Sequence, residues 1–227
     1  PDFFAVHPVE AAAPEEDVLL LDLSFRSTVP EATLRVPTYA RWLEDQDQTP
    51  AYRMLERALK VLQAQRRADR WVLKTPHHLE WLDVLLSVMP DALVVWTHRE
   101  PAACMASFCS MVAHGRGVFS DRVDPLEIGR DWSRKVGRMV DRAMAAREAA
   151  GERCFIDVRY DDLVRDPLAQ ARRIYARAGM EYTRDAETSM KDLLRVHKQH
   201  RFGEHRYRLE DFGLSRGRVD ESMAGYR

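Results

Sequence analysis

The sequence runs to 227 residues, 45% hydrophobic and 31% charged, with a formal net charge of −1. That suffices for one domain, residues 1–227, with a substantial core, and the near-neutral balance excludes bulk electrostatic attraction to nucleic acid or anionic membrane. No apolar run approaches the roughly 20 residues of a membrane span, no signal-peptide pattern is present, and Cys104, Cys109 and Cys154 form no zinc pattern, reading as reduced core cysteines of a cytosolic protein.

The chain enters PDFFAVHP at Pro1 without a Met, and is expected to be the later part of a longer protein. Pro14-Glu15-Glu16-Asp17 reads as a helix start with acids placed for the positive end of the macrodipole. VLLLDLSF follows, helix or strand by pattern alone. Pro30 and Pro37 are expected to bracket an extended segment, and PTYARWLED to form a short amphipathic helix carrying Tyr39 and Trp42. Thr49-Pro50 opens a helix running to about Arg67, with Leu55, Leu59 and Leu62 at helical spacing.

The centre of the sequence is Trp71 to Ser107. WVLK reads as a short strand ending on Lys74, His78 to Met89 as a helix, and LVVW as a strand buried on both faces that ends in Thr97-His98-Arg99. Strand alternation sets His98 and Arg99 on opposite sides. Pro101 opens another helix, expected to stop at His114-Gly115 and to release a polar loop, HGRGVFSDRVD. Two strands thus deliver a cation to one sheet edge, and in open α/β sheets that edge binds ligands. A strand end followed by a helix N-terminus suits an anion.

Pro125 starts a long helix to about Ala150, closed by Gly151, with Ile128, Trp132, Val136, Met139, Val140 and Ala143 as its buried stripe. CFIDV is a third short strand, ending in Arg159-Tyr160. Asp166-Pro167 caps a helix to Gly179, and a last helix spans about Ala186 to His197. The tail beyond it is rich in His and Arg, and His197, His200, His205 and Arg206 read as solvated. Strands alternating with helices predict an α/β fold with a parallel sheet, helix-rich, without internal repeats or a domain boundary.

LKTPHHL, PDALVVWTHREPAACMASF, VRYDDLVRDP and HRYRLEDFGL together resemble the bacterial branch of the sulfotransferase family. The resemblance implies a P-loop-like α/β fold, helices flanking a parallel sheet, and use of 3′-phosphoadenosine 5′-phosphosulfate (PAPS) as sulfuryl donor. It implies that Arg99 and Ser107, eight residues apart across a strand-to-helix junction, bind the 3′-phosphate. A guanidinium fork and a hydroxyl two turns into the helix can both reach one phosphate. It sets Tyr160 near the adenine and makes Lys74 the Lys that neutralises charge growing on the leaving phosphate. The acceptor, a small molecule, lipid or sugar carrying a hydroxyl or amine, must lose a proton. His78 is the nearest candidate to take it, and equally a helix N-terminal residue packed against the sheet. Each of the others also has a plain reading. Lys74 could be a solvated strand-end lysine, Ser107 a back-bonded helix serine, Tyr160 a structural tyrosine. Cys104 and Cys109 read as helix packing, and Phe25, Tyr39 and Trp42 as either core or acceptor pocket. Arg216-Gly217 faintly resembles the basic loop that closes over the 3′-phosphate in relatives.

One family element is missing. The Gly-rich loop G-x-P-R-[ST]-G-T-[ST], which cradles the 5′-phosphosulfate, occurs nowhere in the 227 residues, so an upstream portion is expected to carry it and these residues alone are not expected to catalyse. Two other classes remain open at this stage. A P-loop phosphotransferase should show G-x-x-x-x-G-K-[ST] and an Asp for Mg²⁺; the third class is a non-catalytic nucleotide-binding module.

Overall fold

A computed structural model of the protein describes residues 13–196 and 207–226. His197, His200, His205 and Arg206 lie outside the described residues. The N-terminal region is helical: α1 Val18–Asp22, α2 Val29–Thr33, α3 Pro37–Glu44 and α4 Thr49–Gln65. The segment bracketed by Pro30 and Pro37 is therefore not wholly extended. Pro30 sits in the first turn of α2, where its missing N–H costs nothing. A 3₁₀ turn, Pro76–Leu79, leads to α5 Leu82–Val88 and then β1 Val94–His98. Helices α6 Pro101–Phe119 and α7 Pro125–Ala150 precede β2 Phe155–Arg159, α8 Tyr160–Arg165, α9 Pro167–Arg177 and α10 Arg184–Val196. Residues 207–226 form a 3₁₀ turn Leu209–Phe212, α11 Arg216–Ser222 and a final turn Ala224–Tyr226.

Among the described residues β1 and β2 form a two-stranded parallel sheet in register Val94↔Phe155 to His98↔Arg159. The expected strand at WVLK is not formed. Its terminal backbone N–H, that of Lys74, is bonded to the Asp17 carboxylate at 2.8 Å instead of to a neighbouring strand. The expected helix from His78 to Met89 is also split, because Pro76 and the Thr75 side chain set a 3₁₀ turn first, with Thr75 Oγ1 accepting from the His77 N–H at 3.2 Å. Helix α6 runs past both Gly115 and Gly117 to Phe119, so the predicted loop is shorter by a turn. Gly115 is buried inside that helix, and packing there outweighs a propensity cost of about 1 kcal/mol per glycine.

Two apolar clusters share α7 as their spine. Ala143 and Ala146 near its C-terminal end join α1, α4, α5 and both strands around Tyr52, Trp81 and Trp96. Ile128 and Trp132 near its start join α6 and residues 209–223 around Met105, Phe212 and Val219. Cys109 lies in the second cluster as expected of a packed cysteine, whereas Cys104 is exposed and Cys154 half-buried.

Close approach to α7 explains one of its glycines. A Cβ on Gly129 would lie 2.0 Å from the Phe212 carbonyl oxygen, a backbone atom that cannot simply rotate away. Alanine gains about 1 kcal/mol of helix propensity, while overpacking of this kind costs roughly 1–3 kcal/mol. The 2.0 Å approach puts the cost at the upper end of that range, so Gly129→Ala should lower stability by up to about 2 kcal/mol net. Gly117, exposed in α6 with open space around it, should do the opposite, gaining up to about 1 kcal/mol as alanine. Urea midpoints of the two variants decide it; equal shifts would remove the clash as the cause.

Candidate functional site: the C-terminal edge of the sheet

Parallel register makes the first group. His98 lies opposite Arg159, so the next residues, Arg99 and Tyr160, leave the sheet side by side. The Arg99 guanidinium lies over the Tyr160 ring, 4.4 Å from its centroid. Such contact fixes a guanidinium without consuming its N–H donors. Among the described residues those donors have no hydrogen-bond or ion-pair partner. Glu100 then caps α6, accepting from the Ala103 N–H at 2.7 Å, and Arg216, opening α11, lies 3.2 Å from the same carboxylate. The tail thus returns to the Arg99 edge. Ser107 is half-buried in α6, six residues past Pro101, which is about 9 Å along the axis. Helical side chains tilt toward the N-terminus, which leans it back toward Arg99. Its hydroxyl has no bond to a carbonyl of the preceding turn, unlike that of Ser24 or Thr33.

His98 joins a different network. Nδ1 is 2.7 Å from the Tyr226 hydroxyl and Nε2 is 2.6 Å from Asp157 Oδ1. The rings of Trp96 and Tyr226 both stack with that of His98. Arg147 of α7 reaches Asp157 with both terminal nitrogens, at 2.7 and 2.8 Å. Hydrogen bonds from Arg147, and after them His98, hold the Asp157 carboxyl well below the usual carboxylate range.

The second group surrounds Lys74. Its ammonium pairs with Glu16 and its side chain is mostly exposed. Asp17, only 6% exposed, accepts from the Lys74 N–H and places Oδ2 2.9 Å from His78 Nε2, an ion-pair distance without hydrogen-bond alignment. His78 Nδ1 is 2.9 Å from the Tyr52 hydroxyl. His77 is fully buried against Trp81, with Nδ1 3.4 Å from Thr28 Oγ1. Burial, aided by His78 and Lys135, holds its pKa well below the ordinary value, so it stays neutral.

Glu16 and Asp17 are functional candidates that the helix-start reading missed. Asp17 occupies the N-cap position of α1 but makes no cap hydrogen bond, and no acid falls in the first turn. The acids that were expected to meet the macrodipole grip Lys74 and His78. Only their spacing, two acids directly before an apolar run, was visible beforehand.

Of Phe25, Tyr39 and Trp42, only the last two bring their rings together; the exposed Phe25 ring joins neither core nor pocket, and that residue meets Tyr39 through its backbone carbonyl alone. Tyr39 and Trp42 have ring centroids 5.6 Å apart, and the Tyr39 hydroxyl donates to the carbonyls of Ser27 at 2.7 Å and Phe25 at 3.3 Å. Phe25 is 82% exposed, with a φ of 55°. A cleft of about 380 Å³ between α2, α3, α6 and α7 is lined instead by charged side chains, among them Glu31, Arg35, Glu44, Arg116 and Arg134. Beneath it Lys135 is buried, 3.0 Å from Glu31, 3.0 Å from Glu80 and 3.6 Å from Glu44. Among the described residues no group of three His, Cys, Asp or Glu side chains is gathered to hold a metal ion, and no helix is long and apolar enough to cross a membrane.

Comparison with known proteins agrees with this architecture. A family model described as the sulfotransferase family matches residues 1–184. The crystal structure of sulfotransferase STF1 from Mycobacterium tuberculosis H37Rv superposes with a TM-score of 0.84 at 37% identity, over 96% of this chain and 57% of that one. Sulfotransferase STF9 from Mycobacterium avium gives 0.86 at 33% identity, over 94% of this chain and 55% of that one. No curated protein matches. The chain therefore spans little more than half the length of these two structures. A helix-rich α/β fold with a parallel sheet, two mycobacterial sulfotransferases that superpose on nearly all of it, and a family match over most of its length lead to one conclusion: the chain belongs to the sulfotransferase family.

Proposed function

We propose that the protein is a PAPS-dependent sulfotransferase that moves a sulfuryl group to the hydroxyl or amine of a small-molecule, lipid or sugar acceptor. The observation carrying this reading is the Arg99–Tyr160 pair: a guanidinium pinned over an aromatic ring at the ends of two parallel strands, with its donors open. These groups fit a nucleotide 3′-phosphate and base, the fork meeting a phosphate and the ring offering a face for stacking. Ser107, in the helix that follows and with a hydroxyl that makes no hydrogen bond among the described residues, adds a third contact, and Arg216 beside Glu100 matches the weak basic-loop signal of the tail. PAPS supplies, when bound, a sulfuryl group joined to its 5′-phosphate through a bridging oxygen. Lys74 holds a positive charge for the negative charge that grows on that oxygen. No residue of this chain is assigned to the 5′-phosphosulfate. His78, with both ring nitrogens engaged by Tyr52 and Asp17, fits the packed role left open by the sequence better than that of proton acceptor. The protein is read as one cytoplasmic sulfotransferase-like domain acting on a diffusible acceptor, with no nucleic-acid partner.

Titration calorimetry of the full-length protein with 3′-phosphoadenosine 5′-phosphate tests the reading. Arg99→Ala should weaken binding about 10- to 100-fold, the loss expected for a charge-assisted bond of roughly 1.5–3 kcal/mol. Adenosine 5′-phosphate should bind the wild type no better than that variant binds the bisphosphate. Equal affinity of the wild type for the two nucleotides would exclude a 3′-phosphate site.

A further inference from the structure

Asp17 touches Lys74 through the main chain and His78 through its ring, and nothing in the proposed chemistry uses it. Its carboxylate is buried, yet it caps no helix. One oxygen accepts the Lys74 N–H at 2.8 Å and the other lies 2.9 Å from His78 Nε2. Proton positions follow from the chemistry of the partners. A ring nitrogen facing a carboxylate carries a proton, so in the neutral ring Nδ1 accepts from the Tyr52 hydroxyl 2.9 Å away. Tyr52 is completely buried, and burial, followed by the nearby carboxylates of Asp17, Asp83 and Glu80, pushes its phenol well above the ordinary value, so it remains a donor. Tyr52, His78 and Asp17 therefore form a chain of contacts from helix α4 to the Lys74 backbone, hydrogen-bonded between Tyr52 and His78 and in close polar contact between His78 and Asp17. The segment around Lys74 has no strand ladder to hold it, while Lys74 itself is mostly exposed. A cation meant to meet developing charge without reorganising needs a fixed base.

We propose that Asp17 is a positioning residue of the transfer site: braced by His78 and Tyr52, it fixes the main chain at Lys74 and so the point from which the ammonium reaches. This inference rests on the role given to Lys74 above. It makes Asp17 a substitute for the absent ladder bond, and it accounts for both nitrogens of His78.

The test is made on the full-length protein. Asp17→Ala should lower kcat about 100-fold, the scale of a misplacement near 1 Å, with the affinity for 3′-phosphoadenosine 5′-phosphate within twofold of wild type. Asp17→Asn, which keeps one acceptor oxygen, should recover part of the loss. Amide exchange at Lys74 should accelerate about tenfold in Asp17→Ala without nucleotide present. Tyr52→Phe removes a single oxygen from a packed ring and retains the fold; it should lower kcat about fivefold, as one lost neutral hydrogen bond of roughly 1 kcal/mol implies. An active wild type with unchanged kcat in Asp17→Ala and Tyr52→Phe, or unchanged exchange at Lys74, overturns the inference. So does a kcat loss that merely tracks lost nucleotide affinity and melting temperature. A wild type that neither binds the bisphosphate nor turns over sinks the proposed function instead, so the two failures are told apart.

Discussion

Lys74→Ala is expected to lower kcat about 1,000-fold, the upper range for loss of one preorganised electrostatic group, while binding of 3′-phosphoadenosine 5′-phosphate changes less than twofold. The asymmetry follows from where the proposed role would use the charge. The bisphosphate lacks the sulfuryl group, so a cation reserved for the bridging oxygen contributes little to its affinity and most to the transition state. Stability should barely move. The Lys74 side chain is 73% exposed and its pair with Glu16 is open to water on the lysine side, and such pairs contribute under about 1 kcal/mol. Steady-state kinetics beside calorimetry and a melting curve therefore isolate the effect. A kcat within threefold of wild type would remove Lys74 from the mechanism, and a matching loss of nucleotide affinity would make it a binding residue.

Lys135→Met should cost about 3–5 kcal/mol, the loss typical when one partner leaves a buried charge cluster. Glu31, Glu44 and Glu80 face Lys135, Arg134 and Arg138, three charges of each sign gathered from α2, α3, α5's approach turn and α7. Lys135 is the member all three carboxylates share, and methionine nearly matches its stem while removing the charge. Burial already raises the Glu31 carboxyl, with Lys135 opposing that shift; in the variant the opposition is gone and the carboxyl rises further. Burial also works against Glu44, but the Arg134 hydrogen bond and the charges of Lys135, Arg134 and Arg138 hold it low. A carboxyl whose folded pKa lies above its unfolded value takes up its proton more readily in the folded state. The folded variant is then relieved below the unfolded value, and loses stability as pH rises through the folded one. The penalty of Lys135→Met should accordingly be largest near neutrality and shrink as pH falls through the carboxyl range. Urea unfolding at several pH values reads it, and a pH-independent difference would show that lost packing, not stranded charge, is responsible.

What the sequence announced, it announced locally. α7 and α9 carry their own apolar periods and proline or aspartate starts, and their observed bounds, such as Pro125–Ala150, fall where those signals stand; β1 and β2 form where their apolar runs lie, but β1 is not buried on both faces as expected, since Val95 is 38% exposed. Arg99 and Tyr160 were legible as strand-end residues because parallel strands must end at one edge. WVLK was not, since a strand exists only through a partner, and a short apolar run cannot say that its N–H will go to Asp17. Gly115 and Gly117 read as stops because propensity is local, whereas α6 is held by burial of Met105, Cys109 and Val112 against other helices. The charge cluster was the least visible part. Lys135 is one cation among 35 Lys and Arg residues, and only three-dimensional convergence of carboxylates from positions 31, 44 and 80 distinguishes it.

The return of residues 207–226 to the sheet edge has a consequence for biosynthesis. Tyr226 closes on His98, and Arg216 on Glu100, across more than a hundred residues of sequence. A chain emerging from the ribosome can pair its two strands and cover them with α7 well before these residues exist. The edge that carries Arg99 is then finished late, by chain made long after the arginine itself, and a nascent protein stalled short of residue 207 would have its sheet but an unroofed Arg99 edge.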